Sequence, residues 1–329
     1  MHALRQVRDV IARHAREGRV ATALPRVQLT RASTATAPAG DTVGPSVILV
    51  VQGDVRTVLR DRTIRYRAGQ FVVVAVDLPV TCAITGATAR EPYLAFAMRL
   101  EPAIIAELLL ASPVPQTGTG STGAAGLATG TADPDLLDVI GRMARLLDRP
   151  GDAAALGPLY EREILWRLIT SQHGATVRQV GLPDSHLSQL GHAISWIRTH
   201  YNRPLHVEEL AARSLMSVTS FHRHFRAITQ MTPLQYQKHL RLHEARARLL
   251  ASSRDVASTG YAVGYDNPSQ FSREYRRMFG VPPGRDAARL RAERAEAGGS
   301  VPRSFPDDGG SAGRAGEPGV HEDGQLGGA

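Results

Sequence analysis

Two short segments fifty residues apart carry the side chains best suited to chemistry with a partner. Phe221-His222-Arg223-His224-Phe225-Arg226 is echoed by Phe271-Ser272-Arg273-Glu274-Tyr275-Arg276, so that aromatic, arginine, aromatic, arginine recur at matched positions. Residues four apart share one helix face. Each segment is therefore expected to bury its two aromatics and to turn the intervening arginine toward solvent or a partner. An arginine so placed can grip the O6 and N7 edge of guanine or a backbone phosphate; the alternative is an ion pair that braces its own helix. The charge distribution favours a polyanionic partner. The formal net charge is +8, and residues 185–295 alone hold 17 basic against 8 acidic side chains, while 296–329 hold 2 against 6. Basic stretches of this kind point to nucleic acid or an anionic surface. The bland account is the arginine-rich usage of a GC-rich genome, since Lys238 is the one lysine.

Other reactive residue types are sparse. Cys82 is the single cysteine, so an intrachain disulfide or a thiolate zinc cluster cannot form. In VTCAIT it alternates with Val80 and Ala83-Ile84, which suits a buried strand position better than a redox or electrophile sensor. Eight of the twelve histidines fall within 186–243. His239 and His243 have the i, i+4 spacing of metal ligands. Without an HExxH pattern or a matching carboxylate they read as exposed helix residues. No histidine lies between His14 and His173, so a β-barrel in that span has no imidazoles, which argues against a metallo-enzyme. No catalytic residues, cofactor or metal are expected.

The elements that must hold the repeated segments follow from hydrophobic period. Upstream of the first, Val207 to Ala212 reads as a short helix, Ser214-Leu215-Met216 as a turn and Ser217 as a cap for the next helix. Upstream of the second, Arg254 to Ala262 precedes Val263-Gly264-Tyr265, with Asp266 or Asn267 as the cap. Ala211 and Gly260 are the small residues that permit close helix crossing. Helix, tight turn, helix is the shape that places a second helix in a major groove. Between the units, 233–250 reads as one long helix lined by Leu240, Leu242, Ala245 and Leu249-Leu250. This strut would fix the separation of two reading helices.

The rest of the chain has a different period. Residues 4–16 are amphipathic and helical, and 29–45 are polar. From 46 to 99, short β-branched runs (46–52, 55–59, 63–67, 71–77, 80–85, 93–100) alternate with turn residues, the pattern of an antiparallel sandwich or small barrel. A helix at 103–110, a Gly/Thr/Ser-rich loop at 112–134 and two helices at about 135–148 and 157–171 follow, the last two separated by a break at Pro150-Gly151. Residues 174–185 read as a connector. No apolar run reaches the roughly 18–20 residues that span a bilayer. The arginine-interrupted N-terminus lacks a signal-peptide pattern, so a cytoplasmic protein with no membrane partner is expected.

These residues resemble the AraC/XylS family of bacterial transcription regulators. The second unit carries most of the signature: Gly264-Tyr265, Ser269, Phe271-Ser272-Arg273, Tyr275-Arg276-Arg277, Phe279-Gly280 and Pro282-Pro283. The first matches in Ala211, Met216-Ser217, Phe221, Arg223, Phe225 and Thr232-Pro233, and the strut in Arg241-Leu242, Ala245 and Leu249-Leu250. Upstream, Pro45 to Gly53, Tyr66 to Gln70, Asp77 to Val80, Arg145 to Asp148 and Arg162-Glu163-Ile164 resemble the AraC-type, cupin-like N-terminal domain. Departures are Leu215, where many members have Gly, Gly260, where most have Ala, and the insert at 112–134.

The resemblance implies an α+β multidomain protein. Its parts are a β-rich cupin-like sensor at 1–172, a linker at 173–185 and an all-α double helix-turn-helix domain at 186–295; beyond the resemblance, the Gly/Pro/Asp-rich composition of 296–329 reads as a disordered tail. Base-facing residues carried over by position are Thr219, His222 and Arg223 in the first unit and Ser269, Gln270 and Arg273 in the second. Arg226, Arg276 and Arg277 lie further along and would meet phosphates. The implied partners are double-stranded promoter DNA, a small organic effector, RNA polymerase and a second copy of the chain. A non-specific structural DNA binder and a cupin-type enzyme fused to a DNA-binding domain are the competing readings.

Overall fold

The computed structural model describes residues 2–112, 126–251 and 255–297. The expected disorder beyond 298 and most of the 112–134 insert lie outside them.

Among the described residues the first 131 positions hold ten strands: β1 Gly18–Ala21, β2 Val27–Ala32, β3 Ala39–Val43, β4 Ser46–Gln52, β5 Asp54–Leu59, β6 Arg62–Arg67, β7 Gln70–Val74, β8 Leu78–Thr85, β9 Tyr93–Arg99 and β10 Leu127–Thr131. They form two antiparallel sheets, β1-β2-β9-β4-β7-β10 and β3-β8-β5-β6. β4 and β7 are runs of Val, Ile, Leu and Phe because both faces of the six-stranded sheet are covered. One face meets the second sheet. The other receives α1 (His2–His14), whose Val7, Val10 and Ile11 are buried.

Three segments depart from expectation. The polar stretch at 29–45 holds most of β2 and all of β3; VQLTRA is a strand because Val27 and Leu29 pack while its backbone bonds to β9. The insert contains β10, which pairs from Leu127↔Val74 to Thr131↔Gln70 and gives β7 a partner on its open edge. The expected connector carries α5 (Gly174–Gly181), whose Val177 and Val180 are buried against α2 (Pro102–Ala111) and α4.

α3 (Pro134–Arg145) is capped by Asp133, which accepts from the Leu136 amide at 2.8 Å. α4 runs from Pro150 to Thr170, so Pro150 starts the helix instead of ending the previous one, as proline at N1 does. Arg26, on the β1–β2 turn, makes a two-pronged ion pair with buried Glu161 of α4, at 2.8 and 2.6 Å, which locks this helix to the sheet.

Seven more helices follow among the described residues: α6 His186–Thr199, α7 Val207–Arg213, α8 Val218–Thr229, α9 Pro233–Ala251, α10 Val256–Ala262, α11 Pro268–Phe279 and α12 Pro283–Ala297. The core around Phe221, Phe225 and Tyr236 is continuous with the β-sandwich core. A separate cluster around Phe271, Tyr275, Leu242 and Leu249 serves the second half.

The two parts of the chain meet along α8 and α9. Tyr236 donates to the carbonyl of Asp77 at 2.7 Å, Arg60 to that of Gln230 at 2.8 Å, and the Gly126 amide to that of Ile228 at 3.1 Å.

Candidate nucleic-acid interface

α7–α8 and α10–α11 are the same device built twice. In the first unit the Met216 amide bonds back to the carbonyl of Ala211 at 2.9 Å; in the second the Tyr265 amide bonds to that of Gly260 at 3.0 Å. One residue before each lies a left-handed position, Leu215 at φ 54° and Gly264 at φ 94°. The turn geometry is therefore conserved within the chain although the residue type is not. Gly264 has to be glycine, because a Cβ there would lie 2.5 Å from the carbonyl oxygen of Asn202. Leu215 tolerates the strain with its side chain in solvent.

Before the turn the two units are offset by 49 residues (Ala211 to Gly260) and after it by 50 (Phe221 to Phe271), so the second turn is one residue longer. The extra residue sits at the caps. Ser217 accepts from the Ser220 amide at 3.3 Å, whereas Asn267 accepts from Ser269 at 2.8 Å and Gln270 at 3.2 Å, with Pro268 beginning the helix. Both second helices end on a left-handed residue, Gln230 and Gly280, whose amides return to Arg226 and Arg276.

Packing divides these helices as the repeat demanded. Phe221, Phe225, Phe271 and Tyr275 are fully buried. Thr219, His222, Arg223, Arg226, Ser269, Gln270, Arg273, Arg276 and Arg277 are all exposed. Among the described residues no carboxylate pairs with any of these five arginines. The bracing ion pair considered for Arg223 is thus replaced by contacts of 3.5 Å to Ser220 Oγ and 3.4 Å to His224 Nε2. Gln270 reaches Glu274 at 3.4 Å. Burial opposes the charge of Glu274, but hydrogen bonds from Lys238, Tyr265 and Gln270 outweigh it and hold that carboxyl below its usual range.

The strut is bound to both units. Arg241 of α9 donates to the carbonyls of Tyr201 (2.7 Å), Arg203 (3.0 Å) and Gly264 (2.6 Å), which ties the second turn to the loop preceding α7. Arg246 pairs with fully buried Asp286 of α12 at 2.8 Å, and Tyr275 donates to the same carboxylate at 2.9 Å. Sequence reasoning named Arg241 only as part of the strut's resemblance and passed over Arg246 and Asp286, because residues whose partners lie 23 to 40 positions away leave no local pattern.

His239 and His243 are not the exposed helix residues expected. Their side of α9 faces the four-stranded sheet. His243 lies so close to Gly40 of β3 that any Cβ there would overlap its ring, and its Nδ1 is sealed without a hydrogen-bond partner. Burial first, then His239 and Arg246, push the His243 imidazole down to about 3; Asp41 opposes them. For His239, burial, Arg60 and Lys238 bring it to about 4, against Asp61.

Inside the sandwich, strand register puts a set of polar side chains on the facing sides of the two sheets. Arg19 pairs with Asp41 at 2.8 Å, and Thr57 lies 3.4 Å from the Cys82 sulfur. Burial pushes the Cys82 thiol up to about 11, which favours its protonated form near neutral pH. Tyr66 Oη and Gln28 Oε1 are buried without partners. In the inner row of β2 and β9 that holds Gln28, Thr30, Ala32, Ala95 and Ala97 are small and Tyr93 is large.

Comparison with known proteins adds to this geometry. Residues 23–176 match the family described as AraC-type transcriptional regulator N-terminus, and 210–289 match a helix-turn-helix domain family. The HTH-type transcriptional activator RhaS of Salmonella schwarzengrund is 28% identical over 159 residues, 46% of this chain and 56% of that protein. The chain thus spans just over half the length of the curated relatives it matches. An apo variant of ToxT from Vibrio cholerae strain SCE256 superposes with a TM-score of 0.50 at 8% identity, covering 83% of this chain and 99% of that one. ToxT of Vibrio cholerae O395 bound to (E)-4-(8-methylnaphthalen-1-yl)but-3-enoic acid gives 0.52 at 6% identity, over 80% and 98%. These structures share the fold.

Proposed function

Because the chain belongs to the AraC/XylS family of bacterial transcription regulators, we propose that it binds a specific promoter element through both helix-turn-helix units under control of its N-terminal domain. The observation that carries this reading is the pair of matched exposed faces on α8 and α11, free of carboxylate partners among the described residues and tied to one helix. Thr219, His222 and Arg223 read one half-element; Ser269, Gln270 and Arg273 read the other. Arg226, Arg276 and Arg277 hold the phosphates and set register without reading sequence. Residues 186–295 are the DNA-reading domain and 1–172 the sensor.

The sensor takes a small organic effector between its two sheets. Support comes from the unpartnered Tyr66 and Gln28 atoms beside small inner residues, since buried polar atoms lacking partners are rare in a finished core. The described helices include none long and apolar enough to cross a membrane, and the reading places the protein in the cytoplasm, acting with RNA polymerase and a second copy rather than as an enzyme.

Measuring affinity for the cognate element with and without about five extra base pairs between the half-elements tests this reading, because such an insertion turns one groove to the opposite face. Loss of affinity toward the non-specific level is expected. Unchanged affinity would mean that one unit alone touches DNA, or that binding is not sequence-specific.

A further inference from the structure

The outer face of the four-stranded sheet carries a second feature, unrelated to the recognition helices. Alternate residues of a strand point to one side, and α9 covers Gly40 on that outer side. Register then puts Thr81 and Val58 on the same side as Gly40, and with them Asp54, Arg56, Arg65, Arg67, Ala83 and Thr85. Arg56 stands directly opposite Arg65, and Asp54 opposite Arg67 and Thr85. Asp54, Arg56, Arg65, Arg67 and Thr85, with Gln70 and the intervening Val55 and Tyr66, line a cavity of about 670 Å³ at the end of the sheet away from the β5–β6 turn.

Three properties of this cavity need an explanation that the sheet itself does not supply. Like charges directly opposed across an antiparallel pair destabilise it, yet Arg56 and Arg65 occupy such a pair. Arg56 Nε is shut off from solvent without an acceptor. Among the described residues no carboxylate forms an ion pair with Arg56, Arg65 or Arg67, although Asp54 lies in the same lining. A donor-rich concavity with three guanidinium groups against one carboxylate is what a multiply charged oxyanion requires, because guanidinium groups bind carboxylate and phosphate through paired N–H bonds.

We propose that this groove is a binding site for a small dianion, a dicarboxylate or a phosphate monoester. Arg56 and Arg65 grip one anionic group and Arg67 the second, while Asp54 accepts from a donor on the ligand. The site lies outside the sandwich interior. It is on the face against which α9 packs, roughly 7–13 Å along β5 from the register position of Gly40.

Calorimetric titration of the full-length protein with inorganic phosphate, at constant ionic strength in chloride buffer, tests the assignment. A parallel titration uses succinate. Saturable binding at one site per chain is expected, weakened by about tenfold or more in Arg56→Gln and in Arg65→Gln and unchanged in Arg90→Gln. Tighter succinate assigns the site to dicarboxylates, tighter phosphate to phosphate monoesters. A second signature needs no ligand: in phosphate-free buffer Arg65→Gln raises the melting temperature, because the opposed charges are gone. The proposal is overturned if neither anion binds saturably, if binding survives both substitutions, or if Arg65→Gln lowers the ligand-free melting temperature. DNA affinity plays no part in these readouts, so they succeed or fail independently of the promoter-binding reading.

Discussion

Acidification should loosen the contact between α9 and the β-sandwich, and the amount can be worked from two histidines. His243 is held down to about 3 and His239 to about 4 against an ordinary value of 6.5. In the packed state both stay neutral as pH falls, whereas in an opened or unfolded state both take up a proton near 6.5. The less packed state thus binds more protons below that value, and stability rises with pH there. The contribution is fully present above pH 6.5 and is lost as pH drops from 6.5 toward the packed-state values. Each histidine then costs about 1.4 kcal/mol per pH unit. Going from pH 7 to 5.5 removes about 1.2 kcal/mol per site, or about 2.5 kcal/mol for the pair.

Other charges facing the pair do not cancel this. Asp61 and Asp41 favour protonation, but Arg60, Lys238 and Arg246 oppose it, and burial is the largest effect on both rings. Denaturant midpoints from pH 7.5 to 5.5 for the wild type and for His239→Gln/His243→Gln measure the difference. The wild type should lose about 2.5 kcal/mol more than the double variant over that range. Should the variant fold poorly, the ring proton shifts of the wild type serve instead, with both histidines remaining neutral at pH 5.5. Parallel pH profiles, or a His243 ring that titrates near 6.5 in the folded protein, would refute the reasoning.

Leu215→Gly should stabilise the protein by about 0.5–1 kcal/mol, read as a denaturant midpoint, because a left-handed position is relieved and an exposed side chain is lost. Gly264→Ala at the equivalent turn should cost more than that, since its Cβ meets the Asn202 carbonyl at 2.5 Å. Asp286→Asn removes the partner of buried Arg246 and should destabilise by about 3 kcal/mol in the same assay. Arg223→Ala and Arg273→Ala are expected to change base preference at a cost of about 1–3 kcal/mol each at the cognate element. Arg276→Ala should weaken all sequences alike and reduce the salt slope by about one; equal, sequence-blind losses for all three arginines would show the reading residues to be misplaced.

What the sequence revealed and what it hid divide along the range of the interactions involved. The repeated Phe-x-Arg-x-aromatic-Arg pattern was legible because helix faces are set by residues three and four apart, and the packing of Phe221, Phe225, Phe271 and Tyr275 follows from that spacing alone. The cap at Ser217 was legible for the same reason, and the second was narrowed to Asp266 or Asn267, of which the structure uses Asn267. β10 was hidden inside a Gly/Thr-rich run because its five residues form a strand only where β7 offers an edge, and a backbone ladder leaves no mark on side-chain periodicity. α5 was read as a connector since eight residues are too few to show a helical period, although Val177 and Val180 are buried.

The histidines make the sharpest case. Their i, i+4 spacing is a local fact, but whether the shared face meets solvent or Gly40 depends on how α9 lies on β3, a contact spanning some two hundred positions in sequence. The bare backbone at Gly40 admits the ring, and a Cβ at that position would collide with it. In the sequence that glycine stands in PAGD, where it reads as an ordinary turn residue. This part of the docking between the helical half and the β-sandwich is thus written in a glycine and a histidine that carry no signal separately, and only the assembled chain brings them together.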